Sequence, residues 1–308
     1  MRSGAVLRGL VALAVLGTAA AGSAAAQSSC GQRDTPTIIQ PGDPRWSVDL
    51  NVYPDDQNNA TIGITTSNPR SGTGSLELST SGSLFDWAFF KRVADGGGAW
   101  GLLSQVNCLA FEWNRAPYTL GSNPPSALTA ETWQEQTPVM RLLIRDYVGG
   151  QWVTSHLVWE RWYNTVGVLD PTPTGVWNFE NMTGQLFWRH FDGGLTYTNA
   201  GCANAGFITS SDLQTYTLAD WVANCYSSSA QVYGVMIGVG SMWPGEYQAW
   251  LDNVQLSFSG QNGFVLEDNF DFTRPPTVVP EPATMALLAT GLLALAGAGL
   301  RRRRTRGD

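Results

Sequence analysis

AQVYGVMIGVG at residues 230–240 and EYQAWLDNVQLSF at residues 246–258 decide the fold of this 308-residue chain. Apolar side chains alternate through both segments, and a short glycine-containing turn separates them. In the first segment the alternation places Tyr233 and Ile237 on one face and Met236 on the other. A strand that is apolar on both faces is typical of the centre of a sheet. We therefore predict a central strand at 230–240 and a long antiparallel partner at 246–258.

Further short strands are predicted on both sides of this pair. Residues 139–147 and 151–160 alternate in the same way and flank a glycine pair, which predicts a hairpin turn. Thr217 and Asp220 form a predicted capping box at the start of a short helix. About eleven short strands with one helix predict an all-β fold, a two-sheet antiparallel β-sandwich.

Two stretches resemble the early and final strands of galactose-binding-like jelly rolls, the fold of many carbohydrate-binding modules. They are SGTGSLEL at residues 71–78 and EYQAWLDNV at residues 246–254. The resemblance implies that the sandwich is a jelly roll. It also implies a structural calcium ion held by Asp252, with backbone carbonyls of the early turn nearby, here Ser71, Gly72 and Gly74.

The alternation independently makes Asp252 a candidate metal ligand, because it places this residue on one face with Trp250 and Val254. A carboxylate that faces an apolar layer is costly unless it is paired, hydrogen-bonded or bound to a metal. Calcium, which takes six to eight oxygen ligands, is one solution. Two others remain open: a bulge that turns Asp252 to solvent, and an ion pair with Arg141 or Arg145.

The C-terminal residues combine three features in a fixed order. Pro280, Glu281 and Pro282 precede an apolar run of 18 residues, 283–300, which as a helix would cover roughly 27 Å, enough to span a bilayer. A basic tail, 301–308, follows and predicts a cytoplasmic end; its adjacent arginines are Arg301, Arg302, Arg303 and Arg304. This order resembles the PEP-CTERM sorting signal of Gram-negative bacteria, which implies cleavage by an exosortase and transfer to the cell surface. An ordinary tail anchor is the alternative.

The N-terminus has the features of a secretory signal peptide at residues 1–26. Arg2 and Arg8 precede an apolar run, residues 10–16, and Ala24-Ala25-Ala26 has the form of a signal-peptidase site. No arginine pair is present in this leader, which favours the Sec route. The predicted organisation is then a leader, an N-terminal arm, a sandwich domain, a Pro-rich stalk, a transmembrane helix and a basic tail. Their bounds are 1–26, 27–45, 46–273, 274–282, 283–300 and 301–308.

Charge restricts the class of partner. Without the leader and the C-terminal residues 279–308, the chain keeps 11 basic and 23 acidic residues, a net charge near −12. Such a charge disfavours nucleic acid and anionic polysaccharide as partners bound through charge. Neutral glycans, proteins and cations fit better.

Four cysteines, all in the exported part, predict two disulfides. Three pairings are possible. The spacing favours Cys202 with Cys225, which closes a local loop, and Cys30 with Cys108, which ties the arm to a strand. No two cysteines have the Cys-x-x-Cys spacing of zinc or redox sites.

Thirteen tryptophans make aromatic residues the most suggestive feature of the composition. Four of them lie in periodic patterns and are predicted to be core: Trp87, Trp113, Trp221 and Trp250. Trp162, Tyr163 and Trp243 lie in predicted loops, where large apolar groups often mark a binding surface. Flat rings of this kind stack on sugars, so these three are the candidate ligand-binding residues. The alternative is that they cover a small satellite core.

Catalytic motifs give little support for an enzyme. The chain lacks the Gly-x-Ser-x-Gly, His-Glu-x-x-His and phosphate-loop patterns. Glycoside hydrolysis needs two carboxyl groups, and single carboxylates such as Glu112, Glu160 and Glu246 are present without the Glu-x-Asp-x-x-Glu pattern of jelly-roll glucanases. We therefore expect a non-enzymatic surface protein that binds glycan or extracellular matrix. A purely structural surface or biofilm component and a glycan-active enzyme remain the alternatives.

Overall fold

The computed structural model describes residues 30–31, 36–49, 60–82, 86–117, 136–164, 172–191, 202, 215–239, 245–261 and 265–272. The strands of these residues form two sheets. The first sheet contains β1 (Thr37–Ile39), β3 (Thr61–Thr65), β4 (Ser75–Gly82), β7 (Val106–Arg115), β10 (Asn178–Asn181), β14 (Gly245–Phe258) and β15 (Leu266–Phe270). The second contains β2 (Trp46–Asp49), β5 (Ala88–Val93), β6 (Gly101–Leu102), β8 (Val139–Val148), β9 (Gln151–Trp159), β11 (Leu186–Phe191), β12 (Thr215–Thr217) and β13 (Gln231–Val239). Helix α1 (Leu218–Asn224) follows β12.

Strand β14 is the centre of the first sheet. It pairs with β7 along one edge, and with β4 and then β15 along the other. Strands β3, β1 and β10 extend the sheet beyond β4, β15 and β7. In the second sheet the order is β12-β11-β9-β8-β13-β5-β2, and β6 pairs with the start of β13. The pairings are antiparallel except that of β1 with β15, which is parallel.

The core lies between the two sheets. The first sheet contributes Leu76 and Phe111, and the second contributes Leu142, Trp159 and Ile237, all without exposed surface. Apolar residues of both sheets therefore share one buried layer, which confirms the predicted β-sandwich. The central position of β13, between β5 and β8, confirms the prediction for residues 230–240.

Two β-bulges reverse the predicted alternation. In β13 the register shifts between Val232 and Gly234, so Tyr233 packs with Met236 on the outer face and not with the core. In β14 the register shifts between Asp252 and Gln255, and Asn253 has a positive φ of 52°. A bulge adds one residue to a strand, so side chains before and after it change faces. The prediction that Trp250 shares a face with Val254 is therefore wrong, and Trp250 is a half-buried residue of the outer face.

Local features of the chain follow the sequence closely. Cys30 is bonded to Cys108 and Cys202 to Cys225, which confirms the favoured pairing. Thr217 Oγ1 accepts a hydrogen bond from the Asp220 backbone N–H at 3.2 Å, which confirms the capping box of α1. The stretch predicted as an arm contributes a strand, because β1 lies within it.

No helix in the described part of the chain is long and apolar enough to cross a membrane. The predicted leader, stalk, transmembrane helix and basic tail lie outside the described residues.

Candidate functional site

The outer face of the second sheet carries aromatic and charged side chains together with buried apolar ones. Alternation places these residues opposite the core residues of the same strands. One row crosses six strands through directly paired residues: Trp188, Val158, Arg141, Met236, Lys91 and Ser47. We call this surface the second-sheet face.

Two exposed aromatic residues stand at one end of the second-sheet face. Tyr147 and Trp152 are directly paired across the β8–β9 hairpin, and they are 50% and 54% exposed. Their ring centroids lie 5.4 Å apart with an interplanar angle of 62°. Gly149 and Gly150 form the turn between them with φ of 62° and 87°, a conformation that favours glycine. The tight turn therefore fixes an aromatic pair that is open to solvent.

Arg145 holds the indole of Trp152 in place. Its guanidinium carbon lies 5.2 Å from the centroid of the indole ring, within cation–π range. The guanidinium also donates to Gln231 Oε1 at 2.8 Å and to the Gly97 carbonyl at 2.7 Å. Because Arg145 is fixed by these hydrogen bonds, the ring that it contacts loses little freedom when a ligand binds.

The opposite end of the second-sheet face contains Glu160, Arg141 and Trp188. Trp188 Nε1 donates to Glu160 Oε1 at 3.3 Å. Burial raises the pKa of Glu160 to about 7, although the Arg141 charge and the Trp188 hydrogen bond oppose this shift. The Arg141 guanidinium lies 4.1 Å from the centroid of the Phe89 ring. This end combines a weakly acidic carboxyl, a cation and an indole.

A pair of histidines lies between the two ends. His156 and His190 are directly paired across β9 and β11, with ring centroids 5.6 Å apart. The His190 ring is 6.2 Å from that of Trp188. Glu160 lies eight positions after Trp152. At a strand rise of about 3.3 Å per residue, the two ends of the face are about 26 Å apart. Its exposed aromatic rings lie at the Trp152 end, whereas Val158 and Met236 in the central row are buried.

The structure places the predicted ligand-binding residues differently. Trp162 and Tyr163 are half-buried in a 3-10 turn, Arg161–Asn164, directly after β9. Asn164 fixes this turn, because its side chain donates to the Leu186 carbonyl at 3.1 Å and accepts from the Leu186 N–H at 2.7 Å. Trp243 lies outside the described residues.

Sequence reasoning missed Tyr147 and Trp152, although the signal was present. The hairpin was predicted, and its glycine pair makes the residues on either side of the turn face each other. Both aromatic residues alternate with core positions and therefore had to lie on the outer face. The exposed aromatic pair therefore lies on strands, whereas the predicted ligand-binding residues were placed in loops.

Asp252 is fully buried and holds a polar cluster together. One carboxylate oxygen accepts from the backbone N–H groups of Asn253 and Phe270, both at 2.8 Å. The other accepts from Ser71 Oγ at 3.1 Å and from Asn269 Nδ2 at 3.4 Å. These contacts correct the expectation that Asp252 faces an apolar layer, since the bulge at Asn253 places it under the turn that contains Ser71.

Both alternatives for Asp252 are also wrong. The carboxylate is not turned to solvent, since Asp252 has no exposed surface. It is not paired with Arg141 or Arg145, because both lie on β8 of the second sheet whereas Asp252 lies on β14 of the first. Burial, followed by a smaller effect of the neighbouring Glu112 charge, raises the pKa of Asp252 to about 7 against its hydrogen bonds.

The residues around Asp252 fit a calcium ion in their chemistry. Asn269 Oδ1 is buried and has no hydrogen-bond partner among the described residues, so an oxygen ligand is free beside the carboxylate. Ser71 Oγ adds a third oxygen. Such uncharged and carboxylate oxygens are the ligands that calcium prefers. Groups of three or more His, Cys, Asp or Glu side chains that could hold a metal are absent from the described residues.

The turn above Asp252 depends on glycine. Gly72 has a φ of 73°, and a Cβ at this position would collide with the Asp271 carboxylate. Asp271 in turn accepts from the Thr73 backbone N–H at 2.9 Å and from Thr73 Oγ1 at 2.5 Å. A Cβ on Gly74 would come within 2.5 Å of the Phe272 backbone nitrogen. The two glycines let the turn lie flat against the end of the first sheet.

Comparison with known families identifies the C-terminal segment. Residues 278–304 match the PEP-CTERM protein-sorting motif. This confirms the resemblance noted from the order of the motif, the apolar run and the arginines. No curated protein matches the chain in sequence.

Solved structures with a similar arrangement include two carbohydrate-binding modules of Clostridium thermocellum. The family 11 module of a cellulosomal cellulase is 10% identical with a TM-score of 0.35, and the match covers 75% of this chain and 99% of that one. The family 30 module of another cellulosomal cellulase is 10% identical with a TM-score of 0.34, and the match covers 75% of this chain and 96% of that one. A β-1,2-glucanase from Parabacteroides distasonis is 12% identical with a TM-score of 0.32, and the match covers 70% of this chain and 23% of the enzyme.

Proposed function

We propose that this protein is exported, sorted to the cell surface and binds neutral glycan through the second-sheet face. The observation that carries the proposal is the exposed pair Tyr147 and Trp152 on a rigid hairpin. Large apolar groups held open to solvent commonly mark binding surfaces. Aromatic rings can stack on the C–H faces of a sugar, while Arg145 and the polar groups near Glu160 can bind its hydroxyls.

The address of the protein supports this reading. The C-terminal sorting motif implies a membrane-anchored precursor that an exosortase processes, and the leader implies earlier export by the Sec route and cleavage by signal peptidase. The negative charge of the exported part argues against anionic polymers as ligands. A neutral polysaccharide of the cell surface or matrix satisfies both conditions.

Affinity electrophoresis in gels that contain β-glucan, galactomannan or dextran tests the proposal. We expect at least one of them to retard the wild type, and Trp152→Ala to lower the affinity at least tenfold. Because the Trp152 side chain is 54% exposed, the melting temperature of the variant should differ little from that of the wild type. Phe179→Ala is the matched control, since Phe179 is an exposed aromatic residue on the other sheet. Wild-type binding by Trp152→Ala, or no retardation of the wild type, would refute the proposal.

Glu160 supports a second candidate, a glycan-active enzyme. A carboxyl with a pKa near 7 suits a general acid. Hydrolysis requires a second carboxyl about 5–10 Å away. In the described part of the chain, the charged and hydrogen-bonding partners of the Glu160 carboxyl are Arg141 and Trp188. Neither of these partners is a second carboxyl. Turnover of the same polysaccharides that is lost in Glu160→Gln would favour the enzyme over a binding protein.

We also propose that calcium occupies the cluster at Asp252. Asp252, Asn269 Oδ1 and Ser71 would hold the ion, with backbone carbonyls of Gly72 and Gly74 as the further candidates. The ion would neutralise the buried carboxylate and fix the turn to the first sheet.

A further inference from the structure

The outer face of the first sheet carries a second organised polar and aromatic cluster. One row crosses four strands through directly paired residues, Asn114, Trp250, Glu77 and Gly63. Their strand neighbours Trp113, Leu251, Leu76 and Ile64 belong to the core, so these four lie on the outer side. We call this row the first-sheet cluster. It is separated from the second-sheet face by the whole thickness of the sandwich.

Glu77 is the most highly organised group of the first-sheet cluster. One carboxylate oxygen accepts from Thr65 Oγ1 at 2.6 Å and from Ser67 Oγ at 2.5 Å. The other accepts from Gln248 Nε2 at 2.7 Å. Burial raises the pKa of Glu77, but these hydrogen bonds outweigh it and keep the pKa below its ordinary value. A fixed, charged acceptor therefore stands on a surface that solvent can reach.

Trp250 and Gly63 lie on either side of Glu77. The Trp250 indole is half-buried, and its Nε1 donates to Ser67 Oγ at 2.7 Å. This hydrogen bond fixes the orientation of the ring. Gly63 has no side chain, and a Cβ built there would meet no atom within 4 Å. The carboxylate is thus bordered by an oriented ring on one side and by open space on the other.

Asn114 gives a separate indication of a missing partner. It is only 3% exposed, yet its Oδ1 has no hydrogen-bond partner among the described residues. An unsatisfied buried acceptor destabilises a folded protein, so such atoms usually have a role. Asn114 is directly paired with Trp250, which places this acceptor at the edge of the first-sheet cluster.

We propose that the first-sheet cluster is a second binding site for a polyhydroxylated neutral ligand, a sugar unit of a polysaccharide. The Trp250 ring would pack on the sugar, and Glu77 and Asn114 would accept its hydroxyl protons in hydrogen bonds. This inference rests on the proposed glycan binding and extends it. Because the two sites face away from each other, one molecule can bind two polysaccharide chains and bridge them.

Stoichiometry and bridging test the second site in the intact chain. Titration calorimetry with oligosaccharides of the β-glucan, galactomannan or dextran that retards the protein should give two equivalents per wild-type chain. Trp250→Ala and Trp152→Ala should each reduce this to one. Beads coated with the same polysaccharide should aggregate with the wild type and stay dispersed with either variant. Glu77→Gln should weaken the second site at least tenfold, and it carries the test if Trp250→Ala does not fold.

The control is again Phe179→Ala, which removes an exposed aromatic residue from the same sheet and should keep two equivalents. One equivalent in the wild type, with all binding lost in Trp152→Ala, would overturn the second site and leave the proposed function intact. Two equivalents that remain in Trp250→Ala and in Glu77→Gln would also overturn it. Failure of the wild type to bind any of the three polysaccharides would refute the proposed function itself.

Discussion

The buried carboxylate of Asp252 makes the stability of the protein depend on pH in a predictable direction. Its pKa rises from 3.8 to about 7 in the folded protein, mainly because burial disfavours the charge. Between these values the folded state binds more protons than the unfolded state, so the free energy of unfolding falls as pH rises. At 1.36 kcal/mol for each pH unit, the full change is roughly 4 kcal/mol.

Substitution by asparagine should remove this dependence. In chelator, the free energy of unfolding of Asp252→Asn should rise relative to that of the wild type by up to about 4 kcal/mol between pH 4 and pH 8. The reason is that the amide carries no charge. For a domain of this size that corresponds to roughly 8–16 °C in the difference between the two melting temperatures. Differential scanning calorimetry in buffers with chelator measures it directly.

Calcium should oppose this difference at high pH. The ion binds the ionised carboxylate, so at a concentration of about one hundred times Kd it should stabilise the wild type by roughly 2.7 kcal/mol. Asp252→Asn should not respond. Parallel pH profiles of the two proteins in chelator would refute the burial argument. A wild-type midpoint that calcium does not change at pH 8 would remove the metal.

Asp43→Asn is a control of opposite sign. The Arg45 hydrogen bond lowers the pKa of Asp43 on the surface, and the resulting stabilisation is present above the ordinary pKa and lost as pH falls. Asp43→Asn should therefore be less stable than the wild type at pH 8, with a difference that disappears in acid. The two substitutions together separate a buried carboxylate from a paired one.

Three other predictions follow from the termini, the turn and the disulfides. Intact-mass analysis of surface material should find a chain that starts near Gln27 and ends within residues 280–282; a C-terminus that still carries the arginine tail would contradict exosortase processing. Gly72→Ala should destabilise the protein more than Gly42→Ala in thermal melts, since both positions have positive φ but only at Gly72 would the new Cβ meet other atoms. Equal losses would show that the Asp271 contact is unimportant. Replacing both cysteines of the Cys30–Cys108 bridge by serine should lower the free energy of unfolding in denaturant titrations by about 4 to 5 kcal/mol, because this bridge closes a loop of 78 residues; no change would contradict the loop-closure argument.

Local and periodic signals in the sequence predicted much of the fold. The hairpin at Gly149, the capping box at Thr217 and both disulfides depend on neighbouring residues or simple spacing, and the structure agrees with each. The second bulge shows where this reasoning stops. Asparagine is among the few residues that tolerate a positive φ, but alternation alone does not predict that Asn253 adopts one, so the faces of Trp250 and Asp252 were assigned in the wrong register.

The candidate sites were harder to predict because they depend on strand order. Arg145 meets Trp152 on one surface because β8 and β9 are paired, and Glu77 meets Trp250 because β14 lies next to β4. These neighbours are up to 173 residues apart in the chain, and periodicity does not predict which strands pair. The first-sheet cluster therefore became visible only with the sheets assembled, whereas the Tyr147–Trp152 pair lies on the predicted hairpin.

The pairing of β15 with both β14 and β1 has a mechanical consequence. A chain that is tethered through its C-terminal end receives any external tension through Phe270, the last residue of β15. Such a pull acts along the strand, so the hydrogen bonds to both neighbours are loaded in shear and must break together, not one after another. The Cys30–Cys108 bridge fastens the chain just before β1 covalently to β7. The point of attachment thus lies on a strand that is hydrogen-bonded on both sides.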